Sequence, residues 1–293
     1  MKLYYKDHVL TFLIDHDCDV NELLTNYKQS KKNRYFLYIN KCIKVNEKVI
    51  TQSIPLKKND KVAITLLEED ITPLIPDPTP IDICYEDALF LVVNKPSHLL
   101  VHSDGINQDH TLCNRVQAYY DLKGYAINVR PIHRLDMDTT GMVVFCKLAF
   151  FQPLLDEMLQ AKKIRREYDA FVQGMIKPEK QIINLPIAKD RHVNNKMRIS
   201  KTGKPSKTEV TIVKRFKNFT WIHARLFSGR THQIRVHLQA IHHPLLFDPI
   251  YGQKSKDHRL ALHASKLVLF HPLLQKEIEI KCKLPHDMRD FIK

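Results

Sequence analysis

The stretch that most constrains this chain is Pro131-Ile132-His133-Arg134-Leu135-Asp136-Met137-Asp138-Thr139-Thr140-Gly141, followed at once by the apolar run Met142-Val143-Val144-Phe145-Cys146. β-Branched and aromatic residues over so short a length, with a glycine in front, read as a buried strand. Asp136 is therefore placed in a loop that enters the core. A carboxylate flanked by Arg134 and followed by two hydroxyls and a glycine suits a held, partly desolvated anion, the kind of group that carries chemistry. A turn that merely caps the strand has the same residues. Residue types alone leave both readings open.

Taken from its start, the chain reads as a small basic α+β unit from about Leu10 to Leu67. Val20-Asn21-Glu22-Leu23-Leu24 predicts a short helix, and Lys28, Lys31, Lys32 and Arg34 cluster after it. Ile43-Lys44-Val45-Asn46 and Val62-Ala63-Ile64-Thr65-Leu66 have strand character, with turn chemistry at Pro55 to Asp60 between them. Thr72 to Pro80 holds four prolines and predicts an extended linker. The expected domains are thus 1–71, a linker over 72–80, and 81–293. The second opens with two strand-like runs around Glu86-Asp87, ending at Asn94-Lys95-Pro96 and a loop reaching Val101-His102.

Beyond the central loop, Phe151 to Arg166 predicts an amphipathic helix, with Lys162, Lys163, Arg165 and Arg166 crowding its end. Arg166 to Gly174 alternates like a strand that carries Tyr168. From Arg191 to Lys207 the chain is basic, and Asn194-Asn195 and Thr202-Gly203 predict a protruding hairpin or loop bearing Lys196, Arg198 and Lys201. Two alternating segments follow, Thr208 to Val213 and Thr220 to Leu226. With only seven glycines in 293 residues, those in these segments mark places where the backbone needs freedom or close approach.

Charge adds a partner class. Forty-six Lys+Arg against 32 Asp+Glu leave +14, which favours a polyanion such as nucleic acid, although an anionic surface or solubility alone is served equally. The six cysteines form no C-x-x-C pair and the 16 histidines no H-E-x-x-H, so neither a metal nor a disulfide framework is expected. No apolar run is long enough for a bilayer span and the start has no secretory core, which implies no membrane partner and a cytoplasmic chain.

His133-Arg134-Leu135-Asp136-x-x-Thr139-Thr140-Gly141 resembles the catalytic loop of the RluA family of pseudouridine synthases, with Thr-Thr-Gly for the usual Thr-Ser-Gly. The other family segments follow the same order. They are Tyr85-Glu86-Asp87 with Asn94-Lys95-Pro96 and Val101-His102, the tyrosine strand at Tyr168, and Gly229-Arg230-Thr231-His232-Gln233-Ile234-Arg235-Val236-His237-Leu238. The last runs on through His243-Pro244-Leu245 and Asp248 to Tyr251-Gly252, and the tail segments are Ala261-Leu262-His263-Ala264, Phe270-His271-Pro272 and Leu284-Pro285. His98 stands where the family has glycine, and His242 and Phe247 replace glycines too. The N-terminal unit resembles a divergent S4-type RNA-binding domain in Val45-Asn46 and the Leu56-x-x-x-Asp60 turn; an unrelated accessory domain with a basic, solvated face has the same residues.

The resemblance implies an α+β fold: a pseudouridine synthase catalytic domain on a mixed, mainly antiparallel sheet, preceded by the small S4-like domain. It also implies isomerisation of uridine in structured RNA, ribosomal before transfer RNA, by a monomer without a cofactor. By the same resemblance Asp136 is the nucleophile, Arg235 keeps it ionised and oriented, and Tyr168 lies against the uracil. Arg134 enters the base stack in place of a flipped nucleotide. RNA contacts are expected at Arg134, Lys95, His102, Lys196, Arg198, Lys201 and Arg230, with a loop-bracing role for Lys95 and His102 equally open. His133 and His237 are expected to be structural hydrogen-bonding residues, and Thr139 and Thr140 to hold the loop. A non-catalytic RNA binder explains the charge but not why Asp136, Tyr168 and Arg235 all occur, and a nuclease calls for clustered carboxylates or histidines that the sequence lacks.

Overall fold

The computed structural model describes residues 1–66, 72, 74–105 and 109–292. Strands β1 (Lys2–Lys6) and β2 (Val9–Leu13) form a hairpin, and β3 (Cys18–Asp19) leads into helix α1 (Val20–Asn26) and then α2 (Lys31–Ile39). β4 (Ile43–Val45), β5 (Lys48–Ile50), β6 (Pro55–Leu56) and β7 (Lys61–Thr65) complete the N-terminal unit. Its five-stranded sheet has the order β1-β2-β7-β4-β5 and is antiparallel throughout. The helices start where side chains satisfy free N–H groups, Asp19 accepting from Glu22 N and Ser30 from Asn33 N. Neither the β1–β2 hairpin nor α2 is among the elements expected from sequence.

The second unit continues with β8 (Asp82–Glu86), β9 (Phe90–Lys95), α3 (Leu112–Lys123), β10 (Thr140–Cys146), a 3-10 turn at 149–151, α4 (Gln152–Gln160), β11 (Arg165–Gln173) and β12 (Lys180–Asn184). Then come β13 (Ile187–Lys189), β14 (Met197–Ile199), β15 (Lys207–Arg215), β16 (Phe219–Leu226), α5 (Gln233–Ala240), β17 (Leu262–His271), β18 (Lys276–Lys281) and α6 (His286–Asp290). The large sheet runs β12-β15-β16-β11-β17-β10-β9-β8, with β18 also on β17. Its only parallel ladder among the described residues is β10 on β17, so the sheet is mixed and mainly antiparallel.

Period-two alternation divides the core between the sheet's faces. Phe90, Val92, Met142 and Val144 face one cluster, while Leu91, Val93, Val143 and Phe145 face the other, which also holds Leu135, Tyr168 and Ile234. The first cluster is shared with the N-terminal unit: Tyr27 meets the Phe151 ring edge-on at 5.8 Å, and the buried Gln29 donates Nε2–H to the Phe150 carbonyl at 2.7 Å. The two units are joined by this contact as well as by the chain between them. Residues 67–71 and 73 are outside the described residues, and so is the domain boundary expected at 71/72. The following segment is extended yet anchored, since Asp77 N donates to Asn114 O and Asn114 Nδ2 to Ile75 O.

The long helix expected to Arg166 stops at Gln160. Lys162 turns the chain with φ +59, which puts Arg165 and Arg166 on β11 rather than at a helix end. Gly141 is fixed by contact: its φ is +110, and a Cβ there would lie 2.3 Å from the Ala264 carbonyl oxygen. That close approach lets β10 lie against β17 directly behind the Asp136 loop.

Candidate active site

Three segments far apart in sequence converge on a cleft of about 410 Å³ whose lining includes Asp136, Tyr168, His232 and Arg235. The Asp136 loop is held by its backbone. The carbonyl of Asp136 accepts from Thr139 N at 3.1 Å, that of Met137 from Leu99 N and Lys95 Nζ, and that of Asp138 from the Ser97 hydroxyl. With those carbonyls engaged, the Asp136 carboxylate is left to face the cleft, 22% exposed.

Lys95 departs from a phosphate contact. It is fully buried, and its three ammonium hydrogen bonds go to the carbonyls of Pro96, Leu99 and Met137 at 2.8, 2.8 and 2.9 Å. Burial pulls its pKa down to about 7, against the attraction of Asp138 and Asp136. Its place is that of a brace between β9 and the loop. His98, in the turn that Lys95 ties, has φ +57 where the family has glycine, and sets its Nδ1 3.1 Å from Asp138 Oδ1.

Arg235 comes from α5 and is 2% exposed. Its Nε and Nη2 donate to the two oxygens of Asp248 at 2.9 and 2.7 Å, and its Nη1 lies 3.6 Å from Asp136 Oδ2. The second contact is an ion pair longer than a hydrogen bond. Burial works against the guanidinium charge, and Asp248 and Asp136 more than offset it. Asp248 is itself fully buried and accepts from the N–H groups of Ile250 and Tyr251 at 2.9 and 3.1 Å. Arg235 is thus fixed from behind, with one edge aimed at Asp136.

His232 caps α5 in the left-handed region, φ +55, which is costly for a residue with a side chain and brings its Nε2 to 3.9 Å from Asp136 Oδ2. Its Nδ1 contacts Tyr251 Oη at 2.9 Å; because that oxygen already accepts from Met197 N at 2.7 Å, the phenol proton is free to go to Nδ1, leaving Nε2–H toward the carboxylate. Burial lowers the His232 pKa, so the ring is neutral. Tyr168 is 5% exposed, and among the described residues its hydroxyl makes no hydrogen bond. Burial raises its pKa, with Arg166 pulling the other way.

The remaining expected residues are distributed around this centre. Arg134, His102 and Arg230 line the cleft and are exposed. Lys196, Arg198 and Lys201 lie on or beside the β13–β14 hairpin, outside the cleft lining, but the hairpin docks on the site through Tyr251, over whose ring Lys196 Nζ sits at 5.8 Å. His237 is a structural link between Thr208 Oγ1 and Leu185 O, both at 2.9 Å. His133 differs: both of its ring nitrogens are buried without a hydrogen-bond partner. Thr140 Oγ1 contacts His263 Nδ1 at 2.9 Å, whereas the Thr139 hydroxyl is unpartnered and only its N–H serves the turn. Sequence reasoning assigned no role to Asp248 or Tyr251, although both stand in the segment that contains Arg235, and none to Gln233. Gln233 pins the turn before α5, accepting from Ser228 Oγ and Arg230 N while donating to Lys207 O and Thr208 Oγ1.

A braced carboxylate beside a buried guanidinium, in a cleft bordered by cations, is an arrangement that fits an enzyme acting on an anionic polymer. The model of the RNA pseudouridylate synthase family matches residues 89–240. An uncharacterised RNA pseudouridine synthase of Bacillus subtilis, YhcT, is 36% identical over 85% of this chain and 83% of its own length. Ribosomal large subunit pseudouridine synthase D of Escherichia coli K12 is 34% identical over 92% and 87%. Human RNA pseudouridylate synthase domain containing 1 has the same fold, with a TM-score of 0.60 at 23% identity over 71% of this chain and 84% of that one. The chain belongs to the RluA family of RNA pseudouridine synthases. It is an RNA-modifying isomerase.

Proposed function

We propose that this enzyme converts uridines of ribosomal RNA to pseudouridine with Asp136 as nucleophile, Arg235 as its charged partner and Tyr168 against the base. The observation that carries this reading is the 3.6 Å approach of Arg235 to Asp136, two residues 99 positions apart that meet at the wall of one cleft. The reaction breaks the bond from the sugar to uracil N1, turns the ring and joins C5 to the sugar, moving a proton from C5 to N1. Nothing is oxidised and no group is gained, so no cofactor takes part. A fixed anion beside a preorganised cation serves such a reaction by meeting the charge that develops on the sugar or base.

Arg134, exposed at the cleft and planar, fills the stack vacated by the flipped uridine. Arg230, His102 and the basic hairpin hold phosphates, and the N-terminal unit is an S4-like RNA-binding domain. Among the described residues no helix is long and apolar enough to cross a membrane. The enzyme works in the cytoplasm as a monomer. Its named relative from E. coli acts on large-subunit ribosomal RNA, which favours that substrate over transfer RNA. Pseudouridine mapping in cells lacking the protein should show sites missing from ribosomal RNA alone; a site lost from transfer RNA instead would overturn the substrate assignment.

Replacing Lys196, Arg198 and Lys201 together by glutamine should weaken RNA binding and flatten its dependence on salt by up to about 2 in the log–log slope, at about 0.7 per lost phosphate contact to a single strand. Each is exposed or half-buried, none of the three side chains makes a hydrogen bond or ion pair among the described residues, and only the Lys196 contact with the Tyr251 ring is lost, so the thermal midpoint should fall little. An unchanged slope would remove the hairpin from the RNA-binding surface.

A further inference from the structure

Two polar side chains in the lining of the cleft, Arg166 and His133, have buried nitrogens without a partner. Arg166 lies two residues before Tyr168 on β11 and lines the cleft with it. Among the described residues its side chain makes no hydrogen bond and no ion pair, and its Nε is buried without an acceptor. The arginine next to it shows the ordinary arrangement: Arg165 Nη2 donates to Glu277 at 2.8 Å. His133 also lines the cleft, is 9% exposed, and has both ring nitrogens buried without a hydrogen-bond partner. Burial, with Arg166 adding to it, pushes the His133 pKa down to about 3, so the ring is neutral and keeps one N–H to give.

Gly229 completes the arrangement. A Cβ there would lie 2.9 Å from Arg166 Nη2 and 3.4 Å from Nη1, so the missing side chain is what leaves the guanidinium its place against the cleft wall. Arg166 is half-buried, with Nε shut off from any acceptor in the wall of the cleft, and a guanidinium placed there without a partner suits a site that takes an anion. In a complex with RNA the available anion is the phosphodiester. A guanidinium fork matches two phosphate oxygens, and a nucleotide whose sugar is presented to Asp136 carries its own phosphates into the same cleft.

We propose that Arg166 and His133, with the space left by Gly229, form a subsite for a backbone phosphate adjoining the flipped uridine. This rests on the assignment of the cleft as the active site. Arg166 would receive the phosphate oxygens on its free N–H groups and His133 would add one more donor, so the subsite positions the nucleotide without entering the isomerisation.

The test uses the full-length enzyme and RNA extracted from cells that lack it, with pseudouridine formation followed at several salt concentrations. Arg166→Gln should raise KM about tenfold, leave kcat within about twofold, and reduce the slope of log KM against log salt by about 0.7. Because no partner is lost, its thermal midpoint should not fall. Arg166→Lys should keep the slope while losing part of the affinity, and Gly229→Ala should weaken binding by displacing the guanidinium. An unchanged salt slope for Arg166→Gln, or a lowered thermal midpoint with KM unchanged, would show a structural arginine and end the proposal. Asp136→Asn in the same assay separates the two levels: if it stays active, the assignment of the cleft falls, whereas if it is inactive and the Arg166→Gln slope is unchanged, only the subsite does.

Discussion

Asp136→Asn is expected to cut pseudouridine formation by about 10⁴-fold or more while leaving fold and RNA binding in place, because an amide of the same shape supplies no nucleophile and no negative charge. The structure explains why the loss should be confined to chemistry. The loop is held through the carbonyls of Asp136, Met137 and Asp138, none of which the substitution touches. Arg235 keeps both hydrogen bonds to Asp248, so no buried charge is stranded. The pair that is lost spans 3.6 Å with a carboxylate that is 22% exposed, which limits the stability change to about 1 kcal/mol. Asp136→Glu, which carries the charge one methylene too far, should also be severely slowed, since near-attack geometry is lost within about an ångström. The readout is the pseudouridine pattern of RNA from cells lacking the protein, supplied with each variant. Restoration of the wild-type pattern by Asp136→Asn would end the nucleophile assignment.

That the Asp136 loop and Arg235 stand out was legible in the sequence because each lies in a dense run of unusual residues, and the apolar run behind Asp136 reads as the buried strand β10. The hairpin of β1 and β2 was not. Its turn is Asp7-His8, with φ +49 and +61, the left-handed pair that a hairpin needs, and no glycine announces it. Asn46-Glu47 repeats this between β4 and β5, with φ +47 and +66. The same substitution of side chains for glycine occurs near the site: His98, His242 and Phe247, all where the family has glycine, keep left-handed backbone at φ +57, +63 and +61. A left-handed backbone is thus adopted at positions that no glycine marks. Helix α5 was hidden for a related reason, since its cap is the left-handed His232 rather than a serine or aspartate. The role of Asp248 could not be read at all. An arginine in a motif does not show which of two carboxylates it will bond, and only the fold reveals that its close partner is Asp248 and that Asp136 takes the remaining edge.

That division of Arg235 between two carboxylates makes Asp248→Ala a severely damaging substitution for the fold. Arg235 is 2% exposed and Asp248 0%, so removing the carboxylate leaves a buried cation whose nearest opposite charge is the cleft-facing Asp136. The N–H groups of Ile250 and Tyr251 lose their acceptor as well. Breaking a buried pair from one side costs about 3–5 kcal/mol, on the order of a 10 °C fall in the thermal midpoint for a chain of this size. Pseudouridine formation should fall with it even below the transition, because a guanidinium no longer held from behind is free to shift relative to Asp136. Stability and catalysis can be separated by removing both charges. In the double variant Asp248→Leu with Arg235→Met, apolar side chains of similar volume fill the site, and the desolvation cost of both ions disappears. Its thermal midpoint should recover most of the loss seen in Asp248→Ala, while its activity should stay at the level of Arg235→Met alone. If the double variant regained activity together with stability, Arg235 would be a structural residue with no part in holding the Asp136 charge. If instead Asp248→Ala melted at the wild-type temperature, Asp248 could not be the support that aims Arg235 into the cleft.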